Sequence, residues 1–316
     1  MKLDYLRISL TDRCDFNCIY CRPRERVQLL QREKILRFEE IMEFIKLMLP
    51  EGLEKVRLTG GEPLVRKNTI DLVSMITKIN QIRDITLTTN GALLEKFAKD
   101  LKNAGLSRVN VSLDTLNRKR FVQITGCDKL PEVLRGIKTA RDVGLGPVKV
   151  NMVILKGIND TEIVDFINFS HKNALIPRFI EYMPLNNVGL KHWYVSNEVV
   201  KKIVERNWGK LKLTSFSGNG PAEYYTTKET SFILGFISPI SESFCHKCSR
   251  LRLSAEGKLK PCLASDYELN VRKALRDKDY SQIKKLINLA KLYKINKSTS
   301  FPNFNNAGRF MFQIGG

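Results

Sequence analysis

Tyr5-Leu6-Arg7-Ile8-Ser9-Leu10 begins the patterned part of the chain, and Cys14-x3-Cys18-x2-Cys21 follows almost at once. In the first stretch Leu6, Ile8 and Leu10 alternate with Arg7 and Ser9. A period of two puts the apolar set on one side of a strand and the polar set on the other. The alternation recurs at Lys55–Thr59, where Val56 and Leu58 oppose Lys55, Arg57 and Thr59. It recurs again where Val109, Val111 and Leu113 oppose Asn110 and Ser112, and where Val148, Val150 and Met152 oppose Lys149 and Asn151. Further strands are expected at Asp84–Thr88 and Arg178–Tyr182. Helical periodicity fills the gaps, at Phe38–Met48, Thr69–Ile79, Leu93–Ala104, Leu130–Val143 and Asp160–His171.

Strand–helix alternation builds parallel βα units. Six of them predict an α/β fold, an open, partial (β/α)6 barrel, with a doubly wound sheet as the alternative topology. Strands of an ordinary parallel sheet are apolar on both faces. Here one face is polar and cationic on strand after strand, and burying it is costly unless something satisfies it. The expectation is a wet lumen that holds a polar, anionic ligand.

After about residue 190 the texture changes. A helix at Glu198–Arg206 precedes short strands near Glu223–Tyr225 and Ser231–Ile237, helices at Val271–Lys278 and Tyr280–Leu292, and a weakly periodic tail, Lys294–Gly316. The expected division is a barrel over residues 1–190 and a C-terminal α+β extension over 191–316 that covers the barrel mouth.

The 316 residues are 43% apolar and 27% charged, a composition that folds and argues against wholesale disorder. No apolar run spans a bilayer and no signal peptide opens the chain, so a cytoplasmic protein without a membrane partner is expected. Lys plus Arg number 53 against 33 Asp plus Glu, a net charge of +20. Such a chain draws polyanions, although a lysine-rich surface explains the charge equally well. The seven cysteines are an odd number with no export signal, which speaks against a disulfide framework. Six of them form two tight triplets, and Cys127 stands outside both.

Cys14, Cys18 and Cys21 can point three thiolates at one cluster. A four-iron cluster ordinarily takes four protein thiolates, so three leave one iron open to a substrate or cofactor. Zinc, the rival, wants a fourth Cys or His in a closed site, and no His lies near this loop. Cys245-x2-Cys248-x13-Cys262 repeats the count of three, again with zinc as the main rival. Between these cysteines runs Arg250-Leu251-Arg252-Leu253, whose alternation puts two guanidiniums on one face, a pair suited to phosphate.

C-x3-C-x2-C with Tyr20 before its last Cys, together with Gly60-Gly61-Glu62-Pro63 after the second strand, resembles the radical S-adenosylmethionine (SAM) superfamily. Glu62 is a candidate to meet an ammonium group. Within that superfamily the chain resembles the GTP 3',8-cyclase family of molybdenum cofactor biosynthesis. The resemblance is carried by Leu6–Ser9, Thr88–Gly91, Val111–Asp114, Val148–Asn151, Glu181–Pro184, Gly220–Ala222, the second triplet with its R-x-R strand, and the terminal Ile314-Gly315-Gly316.

The resemblance implies two [4Fe-4S] clusters, held by Cys14, Cys18 and Cys21 and by Cys245, Cys248 and Cys262. It implies SAM contacts from Tyr20, Gly61, Ser112 and Met183. GTP contacts are implied from Arg7, Arg57, Thr88, Lys149, Arg250, Leu251 and Arg252, with Arg178 assisting. Arg7, Arg250 and Arg252 with a Gly315-Gly316 tail would form the catalytic end. The implied reaction takes the 3'-hydrogen of GTP with a 5'-deoxyadenosyl radical and joins C3' to C8, giving 3',8-cyclo-7,8-dihydro-GTP. Implied partners are a flavodoxin- or ferredoxin-type one-electron reductant and a downstream cyclic pyranopterin monophosphate synthase; a homodimer is possible, and no nucleic acid is involved. The sequence departs from the family in a short leader before Tyr5 and in Arg22, where Met is common. The competing functions are a peptide-modifying radical SAM enzyme and a zinc protein that binds nucleic acid.

Overall fold

A computed structural model of the chain describes residues 3–23, 27–216, 218, 220–228, 230, 232–242, 248–297 and 308–315. Six parallel strands lie side by side in chain order: β1 (Tyr5–Ser9), β2 (Lys55–Thr59), β3 (Asp84–Thr89), β4 (Arg108–Ser112), β5 (Lys149–Ile154) and β6 (Ile176–Glu181). Helices α1 (Phe38–Met48), α2 (Thr69–Thr77), α3 (Leu94–Asn103), α5 (Leu130–Asp142) and α6 (Ile163–Lys172) alternate with them. The sheet does not close, so the open-barrel expectation holds. The apolar strand faces pack against these helices: Leu6, Ile8, Val56, Leu58, Val109, Val111, Val150 and Met152 are fully buried in one core with Ile41, Phe44, Ile45, Leu72 and Val133. Removing several hundred Å² of such side-chain surface from water, at roughly 25 cal/mol per Å², is what holds the helices on the sheet.

Sequence patterning missed helix α4 (Arg118–Thr125), whose residues are mostly charged or exposed. Its last turn nevertheless braces the first cysteine loop, since the Asn17 and Ile19 amides donate to the carbonyls of Thr125 and Ile124 at 2.8 and 2.9 Å.

The C-terminal part lengthens the sheet at both edges. Helix α7 (Asn197–Trp208) leads to strands β7 (Leu211–Leu213), β8 (Glu223–Thr227) and β9 (Leu234–Ile237), and β9 pairs in parallel with β6. Strand β10 (Arg250–Leu253) pairs in parallel with β1, and β11 (Lys258–Lys260) and β12 (Leu269–Asn270) complete that edge. Both edges of the barrel are therefore covered, and both added parallel strands bring side chains to its interior. After α8 (Arg272–Arg276), α9 runs Tyr280–Lys297, past the expected end at Leu292, and α10 (Met311–Ile314) returns the tail to β1.

Candidate active site

Register brings the cations together. Arg252 on β10 lies beside Arg7 on β1, which lies beside Arg57 on β2, which lies beside Thr86 on β3. All three guanidiniums are buried, with 6–7% exposure. Burial lowers the pKa of Arg7 well below the ordinary arginine value, and Arg252, Arg57 and Arg250 lower it further. Burial and then Arg250 bring Arg252 down to about 10. Like charges packed out of water are strongly unfavourable without a compensating anion.

The protein supplies only part of that compensation. Arg57 Nε donates to Thr86 Oγ1 at 3.1 Å and its guanidinium lies 5.5 Å from the centroid of the Tyr5 ring. Arg178 donates to Asn151 Oδ1 at 2.8 Å and to Asn110 Oδ1 at 2.9 Å. Buried and unpartnered remain Arg7 Nε, Thr88 Oγ1 and Asn110 Nδ2. These atoms come from strands whose polar faces point inward, and unpaired buried donors are rare in folded proteins.

A cavity of about 210 Å³ opens on this face. Its wall includes Arg7, Arg57, Thr88, Arg178, Arg250 and Arg252, and also Tyr20, Ser112, Asp114 and Met183. Cys248 and Cys262 line the same space. The structure thus gathers most of the residues picked out in the sequence into one chamber, with Tyr20 from the first cysteine loop and Cys248 and Cys262 from the second on its wall. Tyr20 donates to Asp114 Oδ2 at 2.6 Å, and the Val153 amide donates to Asp114 Oδ1 at 2.8 Å. Burial raises the Asp114 carboxyl to about 6.

The first triplet is placed by backbone contacts. Gly61 donates to the Thr11 carbonyl at 2.6 Å and Glu62 to that of Arg13 at 2.8 Å. A Cβ on Gly61 would lie 2.2 Å from the Arg13 carbonyl oxygen, so only glycine permits this contact. Burial drives the thiols up, Cys14 to about 11 and Cys21 to about 12. Deprotonated ligands at such sites need a metal's charge, since Arg22 only partly offsets the burial of Cys14 and Cys21, and three thiols in one loop fit a cluster better than free thiols. Among the described residues no three His, Cys, Asp or Glu side chains are grouped to hold a single metal ion.

In the second triplet, burial would raise Cys248, but Arg250 and Lys294 outweigh it and hold the thiol down at about 6. Lys294 Nζ donates to Cys248 Sγ at 3.3 Å and to the Pro261 carbonyl at 2.9 Å. Cys262 lies with Cys248 on the cavity wall; Cys245 lies outside the described residues.

Several candidates fall elsewhere. Leu251 is fully buried in the apolar core, on the strand face opposite Arg250 and Arg252, so its side chain does not reach the cavity. Gly61 is taken up by the Arg13 contact and is not part of the cavity wall. Glu62 is built into the fold: its carboxylate accepts from Leu64 N, Thr89 Oγ1 and Asn90 N at 3.0, 2.8 and 2.7 Å, tying β2 to β3. Lys149 is buried next to the wall, with its Nζ 5.0 Å from the ring centroids of both Phe216 and Tyr224. Gly315 lies under Arg252, and Gly316 is outside the described residues.

Sequence reasoning did not find Lys294, Phe216 or Tyr224. Lys294 had no signal, because its role exists only where α9 crosses the cysteine loop. Glu181 was quoted only as part of a motif. Its carboxylate accepts from the Asn197, Ile240 and Ser241 amides, each at 3.0 Å, and so anchors the segment that leads into the second triplet.

Residues 8–170 match the Radical SAM superfamily and residues 176–299 match Molybdenum Cofactor Synthesis C. The chain belongs to the radical SAM superfamily. Its similar relatives include the GTP 3',8-cyclase of Thermodesulfovibrio yellowstonii, 48% identical over 276 residues that cover 87% of this chain and 86% of that one. The GTP 3',8-cyclase of Petrotoga mobilis is 46% identical over 85% of this chain and 84% of its own. That of Peptoclostridium acidaminophilum is 41% identical over 100% of this chain and 96% of its own. Within the superfamily, the chain belongs to the GTP 3',8-cyclase family. Among solved structures, Streptococcus suis SuiB bound to precursor peptide SuiA shares the fold, with a TM-score of 0.63 at 17% identity over 86% of this chain. This chain spans 63% of SuiB's length.

Proposed function

We propose that this chain converts GTP to 3',8-cyclo-7,8-dihydro-GTP, the first step of molybdenum cofactor biosynthesis. The observation that carries the reading is the in-register row Arg252–Arg7–Arg57 on the wall of a chamber that Tyr20 and Cys262 also line. A triphosphate answers the buried cations, and Tyr20 of the first cysteine loop and Cys248 and Cys262 of the second line the same space.

Cys14, Cys18 and Cys21 would hold a [4Fe-4S] cluster that binds SAM, and Cys245, Cys248 and Cys262 a second one that meets the guanine. Loaded with SAM and given one electron, that first site would supply the radical chemistry that the removal of the ribose 3'-hydrogen and closure onto C8 require. The protein's own residues supply placement. Arg250 and Arg252 on β10, Arg7 on β1, Arg57 on β2 and Thr88 on β3 bind the triphosphate from neighbouring strands of one wall. Lys149 adds its charge from beside the wall, and Arg178 is held by Asn110 and Asn151. Leu251 contributes through its backbone only. Tyr20, Ser112, Met183 and the Gly61 backbone shape the SAM side, with Asp114 orienting Tyr20. The Gly315-Gly316 tail belongs to the catalytic end in this reading, since Gly315 accepts from Arg252. The barrel of residues 1–190 and the extension of 191–316 act as one catalytic unit in a cytoplasmic enzyme. It takes its electron from a flavodoxin- or ferredoxin-type carrier and hands its product to cyclic pyranopterin monophosphate synthase; assembly as a homodimer is compatible with this scheme.

The test is anaerobic reconstitution followed by iron and sulfide counting. Dithionite, SAM and GTP are then added, with mass spectrometry for 5'-deoxyadenosine and a cyclised nucleotide. About eight irons per chain and GTP-dependent product are expected. Zinc without sulfide would overturn the reading.

A further inference from the structure

The outer face of the first cysteine loop carries two adjoining grooves, of about 750 and 430 Å³, that share Val65, Arg66, Lys67 and Asn68. The larger is flanked by Arg13, Arg32 and Arg37, the smaller by Lys96 and Lys129. With Arg66 and Lys67 that makes seven cations, against two carboxylates in the walls, Glu39 and Asp15. Asp15 is already paired with Lys129 at 3.2 Å, and Arg13 and Arg37 lean on Asp12 and Glu40 without losing their exposure. Val65, 37% exposed, lies where the grooves meet, and Phe97 lines the smaller one. An apolar centre inside a charged rim is the anatomy of a protein interface that finds its partner by electrostatic attraction.

This face is also the near side of the first cluster site. Arg13 and Asp15, the two chain neighbours of Cys14, each line one groove. Asn90 Nδ2 donates to Asp15 Oδ1 at 2.7 Å and approaches Cys14 Sγ at 4.0 Å. The substrate chamber is lined by other residues and does not share this wall. An electron can therefore reach Cys14 from outside without passing through space that substrate fills.

We propose that this basic face is the docking surface for an acidic one-electron carrier protein that reduces the first cluster. The proposal rests on Cys14, Cys18 and Cys21 being the ligands of that cluster. In the docked complex one electron leaves the reduced carrier and enters the cluster; no bond forms and no proton moves. Attraction between an acidic carrier and this face raises the encounter rate and weakens as salt rises.

The test compares the reconstituted holoenzyme with its Lys67→Glu/Lys96→Glu variant. Both side chains are exposed and lie outside the chamber, whereas Arg66 is left alone because it donates to the carbonyls of Leu10 and Leu36, both at 2.7 Å. Bleaching of the first cluster is followed by stopped flow with reduced acidic flavodoxin, and in parallel with an uncharged photoreduced deazaflavin. The wild-type rate with flavodoxin is expected to fall about tenfold from low to high salt, and the variant to be about tenfold slower at low salt with little salt response. Reduction by deazaflavin and iron content are expected to be the same in both. A variant that keeps the wild-type rate and salt slope with flavodoxin would overturn the docking surface, as would one that loses RNA or anionic-vesicle binding instead. If deazaflavin and SAM yield no 5'-deoxyadenosine from the wild type, the cluster assignment fails, and the proposal fails with it.

Discussion

Arg252 Nη1 donates to the carbonyl of Gly315 at 3.1 Å, a buried bond that fastens β10 to the last turn of the chain. Gly315 has φ +69°, and a Cβ there would lie 2.3 Å from Thr59 Cγ2. The tail thus sits against β1, β2 and β10, where three arginines converge, and it does so only as glycine.

Gly315→Ala combines a left-handed backbone penalty of about 1–2 kcal/mol with the Thr59 clash. Both act on the seating of the tail and not on the cysteines. Cyclisation is expected to fall at least about tenfold, with iron content unchanged. Adding Thr59→Ser removes the clashing methyl and should recover part of the loss. Iron analysis alongside steady-state product formation separates the two effects.

The arginine row predicts opposite signs for stability and binding. Arg57→Met removes a buried charge that faces Arg178 and Arg250. The free enzyme should unfold at an equal or higher temperature, since buried charges without counterions are costly. GTP affinity should fall by about 10- to 100-fold, the worth of one or two charge-assisted hydrogen bonds. Calorimetric unfolding and nucleotide titration read the two signs, and a parallel fall in both would argue against an anion site. Arg250→Ala should likewise retain both clusters and lose cyclisation.

Lys149 gives a pH signature. Burial, then Arg178 and Arg108, lower its pKa to about 7 from an ordinary 10.5. The unfolded chain keeps this proton over the window between those values and the folded chain does not. Lys149 therefore makes stability rise with pH through that window, and the contribution is lost as pH falls toward 7. A bound triphosphate restores the charge, so nucleotide binding near pH 8 should take up a proton. Titration in buffers of different ionisation enthalpy should show this uptake, and Lys149→Met should abolish it.

The Lys294–Cys248 contact predicts a selective electronic effect. A cation that donates to a ligand sulfur favours the reduced state of a cluster. Lys294→Met should lower the potential of the auxiliary cluster and leave that of the first unchanged. A redox titration followed by electron paramagnetic resonance reads each cluster separately. Equal shifts in both would mean a global disturbance instead.

The strands and most helices were legible because their signals are local. Leu6, Ile8, Val56 and Leu58 repeat every second residue, and Phe38–Met48 repeats its apolar positions at the helical period. Helix α4 lacked that signal, since Lys119, Val122 and Gln123 face solvent and only Phe121, Ile124 and Thr125 are buried. The polar lumen was legible too, because alternation alone puts Arg7, Arg57 and Lys149 on one side. The same alternation points Leu251 into the core, where its side chain is fully buried.

The sequence by itself determined the βα order, the polarity of each strand face and the two cysteine triplets. These are properties of neighbours along the chain, set by backbone geometry and side-chain chemistry. Only the tertiary structure decided that β10 pairs with β1 and β9 with β6, bringing Arg252 beside Arg7, Gly315 beside Thr59 and Lys294 onto Cys248. An open barrel leaves two edges whose unpaired amides and carbonyls need partners. Which distant segment meets that need depends on the packing of the whole chain, and no local pattern in the sequence records it.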